Sequence, residues 1–279
     1  MCCFQIQEII VPTDFASIVR APSSGRTTAV LLDHWQYAQA VLLRGQPIPW
    51  TDAVQYAQFL KQAQGLLRPD STLLDLGVWY AQALAADPVL QSAMAARSRR
   101  GFALKTLLAD ETLSAAAVEL ATVVSRTSAA PLVVQIPAPM VWLAQTHLQA
   151  GAGTVADLAA GAAENAAMYL ADWLRRLSTL PVSLLLLDER WPGPGVLPPV
   201  EPVAYTPIAN VTAHYRWTFG RRMPDGIDVL GSALTGAVVP PSFWLDDHPQ
   251  GPPSGDFLLA EIPAAAVPET VLARLAQLT

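Results

Sequence analysis

Between residues 181 and 191 the chain reads Pro-Val-Ser-Leu-Leu-Leu-Leu-Asp-Glu-Arg-Trp. Pro181 stops the helical pattern before it, four leucines follow, and two carboxylates and a guanidinium close the run. An apolar stretch without polar alternation reads as a strand covered on both faces, the habit of a parallel sheet wrapped in helices. In such folds the C-terminal strand ends carry the chemistry. Asp188, Glu189 and Arg190 therefore stand where a site is expected. Side chains alternate along a strand, so Leu184, Leu186 and Asp188 share one face and Leu185, Leu187 and Glu189 the other. Only one of the two carboxylates can point into a barrel mouth.

The chain has 279 residues, a length that one α/β barrel needs. With 52% hydrophobic and 14% charged residues, much of it must be buried. No apolar run approaches the roughly 18 residues of a membrane span. Met1-Cys2-Cys3-Phe4-Gln5 puts no positive charge ahead of an apolar core, as a secretory leader would. The expected location is cytoplasmic, without membrane contact. A net charge of −6 speaks against a nucleic-acid partner. Adjacent Cys2 and Cys3 are poorly placed to bridge one another. No Cys-x-x-Cys or His-x-x-x-His spacing suggests zinc, so neither a metal nor another cofactor is expected.

Strands are predicted at 4–11 and 28–32, and the pattern from about 34 to 127 is helical. Helices start near Asp52 and on either side of Asp110, and Leu73, Leu76, Trp79 and Leu84 give 70–86 near-helical spacing. Alternation begins near 130: a strand at 131–136, a helix at 140–150, a long helix at 154–180 opened by Thr154 and Asp157, and the leucine strand. A Pro/Gly-rich loop at 191–202, a strand at 205–214, short strands at 227–230 and 237–239, a strand at 257–262 and a helix at 268–278 finish the chain.

This order predicts an α/β protein, a (β/α)8 TIM-like barrel of irregular form with a helical N-terminal elaboration. It is one domain over 1–279, with a strand pair and helix-rich part over 1–127 and an alternating part over 128–279 that carries the site. An open doubly wound sheet is the alternative, but the chain has no Gly-x-Gly-x-x-Gly or phosphate loop.

A second cluster, Thr212-Ala213-His214-Tyr215-Arg216-Trp217 with Arg221 and Arg222 beyond it, follows the predicted strand 205–214 and would lie at the same barrel end. His214 suits general acid/base work near neutral pH, and the arginines suit a carboxylate or phosphate. The competing reading is a satisfied histidine, solvated arginines, and an ion pair between Arg190 and a neighbouring carboxylate. Asp246-Asp247-His248, flanked by prolines, reads more readily as a solvated loop, and His34 and His147 as ordinary helix-associated residues. If Met1 were removed, Cys2 could act as an N-terminal nucleophile, although the following sequence lacks the dense strand pattern of such hydrolases.

Taken in order, these motifs resemble the barrel superfamily of cobalamin-independent methionine synthase and uroporphyrinogen decarboxylase. Leu186-Leu187-Asp188-Glu189 is similar to the synthase's Ile-Asp-Glu-Pro, and residues 166–175 are similar in style to the preceding helix. Thr212–Arg216 stands in the place of a His-x-His-x-Cys, and the likeness covers about 130–262. The resemblance implies a zinc held by histidine and cysteine in the synthase branch. Here His214 would keep one ligand, Arg216 takes the cysteine position, and no later cysteine exists, so the ligand set is incomplete.

That favours the decarboxylase branch, which the resemblance implies works without a metal and holds substrate carboxylates with arginines. The expectation is a metal-independent barrel enzyme acting on a small carboxylated, anionic molecule, a decarboxylase-type lyase. Asp188 or Glu189 would stabilise positive charge or move a proton, and His214 would be the acid/base. Arg190, Arg216, Trp217, Arg221 and Arg222 would bind the substrate. Two alternatives stay open: a non-catalytic barrel serving as a binding or complex-forming subunit, in a homo-oligomer or with a protein partner, and a methyltransferase-like enzyme without zinc. An open polar mouth would favour an enzyme; a plugged mouth would favour the subunit.

Overall fold

The computed structural model describes residues 13–278; the predicted strand at 4–11 and Cys2 lie outside the described residues. Eight strands form one sheet: β1 (Ala29–Asp33), β2 (Thr72–Asp75), β3 (Leu132–Pro137), β4 (Val182–Asp188), β5 (Thr218–Arg222), β6 (Gly226–Val229), β7 (Thr235–Val239) and β8 (Phe257–Glu261). From β2 to β8 the strands lie side by side in chain order, and β1 pairs with β8. A parallel bridge between Leu31 and Ser71, with the Asp70 N–H donating to the Val30 carbonyl at 3.0 Å, brings β1 to β2 and leaves a nearly closed barrel.

Helices surround it. α1 (Phe15–Arg20) precedes β1; α2 (Trp35–Leu42) and α3 (Ala53–Leu67) lead to β2. α4 (Leu76–Ala85), α5 (Pro88–Met94), α6 (Phe102–Ala109) and α7 (Glu111–Thr127) lead to β3, and α8 (Pro139–Gln149) and α9 (Ala162–Leu174) to β4. α10 (Thr206–Tyr215) precedes β5, α11 (Ser242–Leu245) lies between β7 and β8, and α12 (Pro268–Leu275) follows β8. Aspartates cap several of these starts: Asp52, Asp75, Asp87 and Asp110 accept the free N–H groups of α3, α4, α5 and α7.

The barrel departs from an all-parallel (β/α)8 arrangement. β6 runs antiparallel to both β5 and β7, and every other pairing is parallel. The reason is connection length. Residues 223–225 and 230–234 are all that join β6 to its neighbours, whereas a parallel neighbour needs a crossover of about a dozen residues.

Three predicted elements are corrected. The helix expected at 70–86 begins with β2, and Asp75 is at once the last residue of that strand and the N-cap of α4, so no linker marks the change. The helix expected at 154–180 is broken: Thr154 and Asp157 form a capping box around a 3-10 turn at Val155–Asp157, and α9 starts only at Ala162. The strand expected at 205–214 is a 3-10 turn at Pro202–Tyr205 followed by α10, whose buried Ile208, Val211 and Thr212 follow helical spacing. The strand of that region is β5, further along.

Both faces of the leucine strand are buried, as its unbroken apolar run predicts. Leu184 and Leu186 fill the barrel with Leu31, Leu73, Val133 and Leu259, while Leu185 and Leu187 pack against the helices. α1 closes the end of the barrel where the parallel strands begin. Phe15 is fully buried and meets Phe257 edge-to-face with ring centroids 5.0 Å apart. Opposite, β7 makes room with Gly236, where a Cβ would fall 2.5 Å from the Phe257 ring. Phe15→Ala should cost about 3–5 kcal/mol, because the rigid strand ends cannot collapse into the space. Urea unfolding checks this, and a loss under about 1 kcal/mol would contradict the plug. Among the described residues no helix is long and apolar enough to cross a membrane.

Candidate active site

The alternation that turns leucines into the barrel turns polar residues inward at its other end. Asp33 closes β1, Asp75 closes β2, Asp188 closes β4, Arg222 closes β5 and Glu261 closes β8, with Gln135 near the end of β3. Strand register sets Asp33 beside Glu261, Asp75 beside Gln135, and Asp188 beside Arg222. Arg190 reaches back from just past β4.

These side chains form one continuous chain around the mouth. Arg190 Nε and Nη2 donate to the two Asp188 oxygens at 2.8 and 2.6 Å, and Nη1 donates to Glu261 at 2.8 Å. Arg222 Nη2 lies 2.5 Å from the same Glu261 oxygen, as an ion pair without hydrogen-bond alignment. Arg222 Nη1 lies 3.6 Å from Asp33 and donates to Gln135 Oε1 at 3.0 Å. Gln135 Nε2 then donates to Asp75 at 2.5 Å. Arg222 is fully buried beneath the mouth. Above it opens a cavity of about 540 Å³, with Asp33, Asp75, Asp188, Arg190 and Glu261 at its polar end. Its walls carry the aromatic rings of Trp35, Trp142 and Trp191 and the amides of Gln36, Gln145 and Gln149.

Four carboxyl groups face two guanidiniums, and their environments differ. Burial pushes the Asp33 carboxyl up to about 7; Asp75 and Glu261 add to the rise while Arg222 and Arg190 oppose it. Burial also raises Asp75, against the N–H of Val78 and the amide of Gln135, which favour its charged form. For Arg190, burial works against the charge, but the bonded Asp188 and nearby Glu261 outweigh it and hold the guanidinium above its ordinary value. The phenol of Tyr56, buried close to Asp75 and Asp33, is raised as well. The site therefore holds two carboxyls shifted toward the protonated form and two that are ion-paired.

Asp188, Arg190 and Arg222 are brought together at the mouth; Asp188 and Glu189 lie on opposite faces as parity predicts, and it is Asp188 that points inward. Glu189 faces the other way, where Arg221 spans it at 3.4 Å and Asp228 at 3.2 Å. Beside it the Tyr205 phenol is raised by burial and by the Glu189 charge.

His214, Arg216 and Trp217 do not join the mouth, which corrects the expectation that they share one strand end with it. The segment before them is α10, which carries the chain back from the mouth to the start of β5, so its C-terminal end lies at the opposite side of the barrel. There His214 is exposed against the Tyr215 ring at 4.8 Å, Arg216 caps the helix in a left-handed conformation (φ 59°), and Trp217 is buried. Asp246 and Asp247 lie in an exposed turn after α11, with Arg274 donating to the Asp246 carbonyl at 3.0 Å.

Asp33, Asp75, Gln135 and Glu261 are site residues that motif reading passed over. The signal was a repeated tripeptide: Leu31-Leu32-Asp33, Leu73-Leu74-Asp75 and Leu186-Leu187-Asp188 each end a strand of the barrel. Among the described residues no group of three histidine, cysteine, aspartate or glutamate side chains is arranged to hold a metal ion. Fold and site together define a helix-wrapped, eight-stranded barrel with a carboxyl-lined mouth. Comparison of the chain with models of protein families, with curated proteins and with solved structures gives no match.

Proposed function

We propose that the chain is an acid–base enzyme of the lyase type, acting at the barrel mouth on a small uncharged polar molecule, with Asp33 as the proton donor. The observation that carries this reading is the pair of shifted carboxyls, Asp33 and Asp75, facing an open cavity beside two ion-paired carboxylates. Environments that push like groups apart mark acid and base roles, and a carboxyl titrating near 7 is matched to proton transfer at neutral pH. Asp188, turned inward at the same mouth, is the carboxylate positioned to accept a proton or to stabilise developing positive charge. The open, polar mouth also favours catalysis over a plugged, purely structural barrel.

The decarboxylase-type reading with a carboxylated substrate, and the superfamily likeness behind it, draw on the arginines. Here Arg190 directs its donors to Asp188 and Glu261, and Arg222 lies beneath the floor. An incoming carboxylate would have to displace an existing ion pair and sit among four carboxyls. Indole faces and neutral amides on the walls suit an uncharged polar solute better.

The test is turnover of two sets of probe compounds, short polyols and short carboxylic acids, followed by mass spectrometry. Conversion is expected among the polyols, lost by about 100-fold in Asp33→Asn. It should fall as pH rises through about 7, where Asp33 gives up its proton. Turnover of the acids alone, or activity that survives Asp33→Asn, would overturn the assignment.

A further inference from the structure

Away from the mouth, the corner between α5 and α6 collects positive charge on an otherwise acidic chain. Arg97, Arg99, Arg100 and Lys105 are four of its 17 lysines and arginines, while the net charge is −6. They are exposed, and among the described residues none of them forms an ion pair with a carboxylate. Asp157 feels the charge of Arg100 without contacting it, and clustered like charges repel, so four cations with no ion-pair partner are unfavourable unless something compensates them.

Two hollows meet at this corner. One, of about 580 Å³, is lined by Arg97, Arg99, Arg100, Lys105 and Tyr169, with Asp110 as its single carboxylate. The other, of about 300 Å³, shares Arg99, Arg100 and Tyr169 and adds Asn165. Aromatic rings support two of the cations: the Arg97 guanidinium lies 5.3 Å from the Phe102 centroid, and Lys105 Nζ 5.9 Å from that of Tyr169. A ring face orients a cation without neutralising it, so the charge stays available to a ligand. The carboxylate of Asp110 is turned to its own helix, accepting the Leu113 N–H at 2.7 Å.

We propose that this corner is a binding site for a compact, multiply charged phosphate, with Arg99 and Arg100 as the shared contacts of the two hollows. Guanidinium forks match phosphoryl oxygens in two-point contacts. The concave shape and the negative charge of the whole chain favour a small anion over a nucleic acid, which would meet repulsion beyond the patch.

Isothermal titration of the full chain with pyrophosphate tests this. The expected result is saturable one-site binding that weakens with salt. Arg99→Gln/Arg100→Gln should weaken it at least about tenfold, leaving a folded protein because both side chains are exposed. Arg126→Gln, an exposed arginine on α7, should leave it unchanged; equal weakening by that control would reduce the effect to general charge and overturn the site. Absence of saturable binding, or binding indifferent to the double substitution, would overturn it too. Tighter binding of a single-stranded oligonucleotide than of pyrophosphate, lost in the same variant, would replace the small-anion assignment with a nucleic-acid surface.

Discussion

Arg222→Met should cost the protein about 3–5 kcal/mol of folding free energy, the usual consequence of removing one partner from a buried ion pair. Arg222 is fully buried and touches Asp33, Gln135 and Glu261 together. Methionine fills much of the same volume, so the loss reports on charge rather than on a cavity. It leaves Asp33 without its nearest positive charge and Gln135 Oε1 without a donor. Arg222→Lys should recover little, because one ammonium cannot serve three partners spread across three strands. Urea unfolding at neutral pH measures the effect. Part of the loss should return under mild acid, where protonating the carboxyls relieves their repulsion. A variant within about 1 kcal/mol of the parent would mean that the mouth does not depend on its buried guanidinium.

Asp33→Asn should act in the opposite direction, and only above a certain pH. The Asp33 carboxyl titrates at about 7 in the folded chain against an ordinary value of 3.8. Between those values the native state keeps a proton that the unfolded state has released, so stability falls as pH rises. The contribution is fully present below about pH 4 and has been lost by the time pH has passed through about 7. With each pKa unit worth about 1.36 kcal/mol, the full swing is about 4 kcal/mol. Asparagine keeps the shape and cannot ionise, while Arg222 retains Glu261 and Gln135. The variant should therefore match the parent at about pH 4 and exceed its stability by about 2–4 kcal/mol at about pH 8. Unfolding curves across that range decide it; a difference that does not change with pH would show that Asp33 ionises normally. Higher stability with lost turnover would also mark Asp33 as a residue kept for chemistry at the expense of the fold.

Much of this architecture was legible in the chain. The leucine strand, the short strands β6 and β7, the strand β8 and the aspartate-capped starts of α3 and α7 follow from local apolar pattern and capping chemistry. β2 escaped because it is four residues long and its last residue already caps the next helix. β5 escaped because Thr-Phe-Gly-Arg-Arg carries no apolar run; its buried Arg222 is tolerated inside only because three partners surround it. The segment of α10 reads as a strand in the sequence, since a short apolar segment fits either period, and a strand there would put His214 at the other end of the barrel. The site was half legible. Parity separated Asp188 from Glu189 correctly, yet Asp33, Asp75 and Glu261 are far apart in the chain and become neighbours only when the sheet curls.

The local pattern alone fixes the leucine strand: buried on both faces, ending in charge, with Asp188 and Glu189 on opposite sides. Those properties are local, set by apolar run length and by the two-residue period of an extended chain. The company Asp188 keeps comes from the nearly closed sheet. The barrel brings five strand ends and Gln135 into one ring, withdraws water from Asp33 and Asp75, and leaves Arg222 as the shared countercharge. Desolvation and pairing depend on which distant residues arrive together, and no local pattern encodes that.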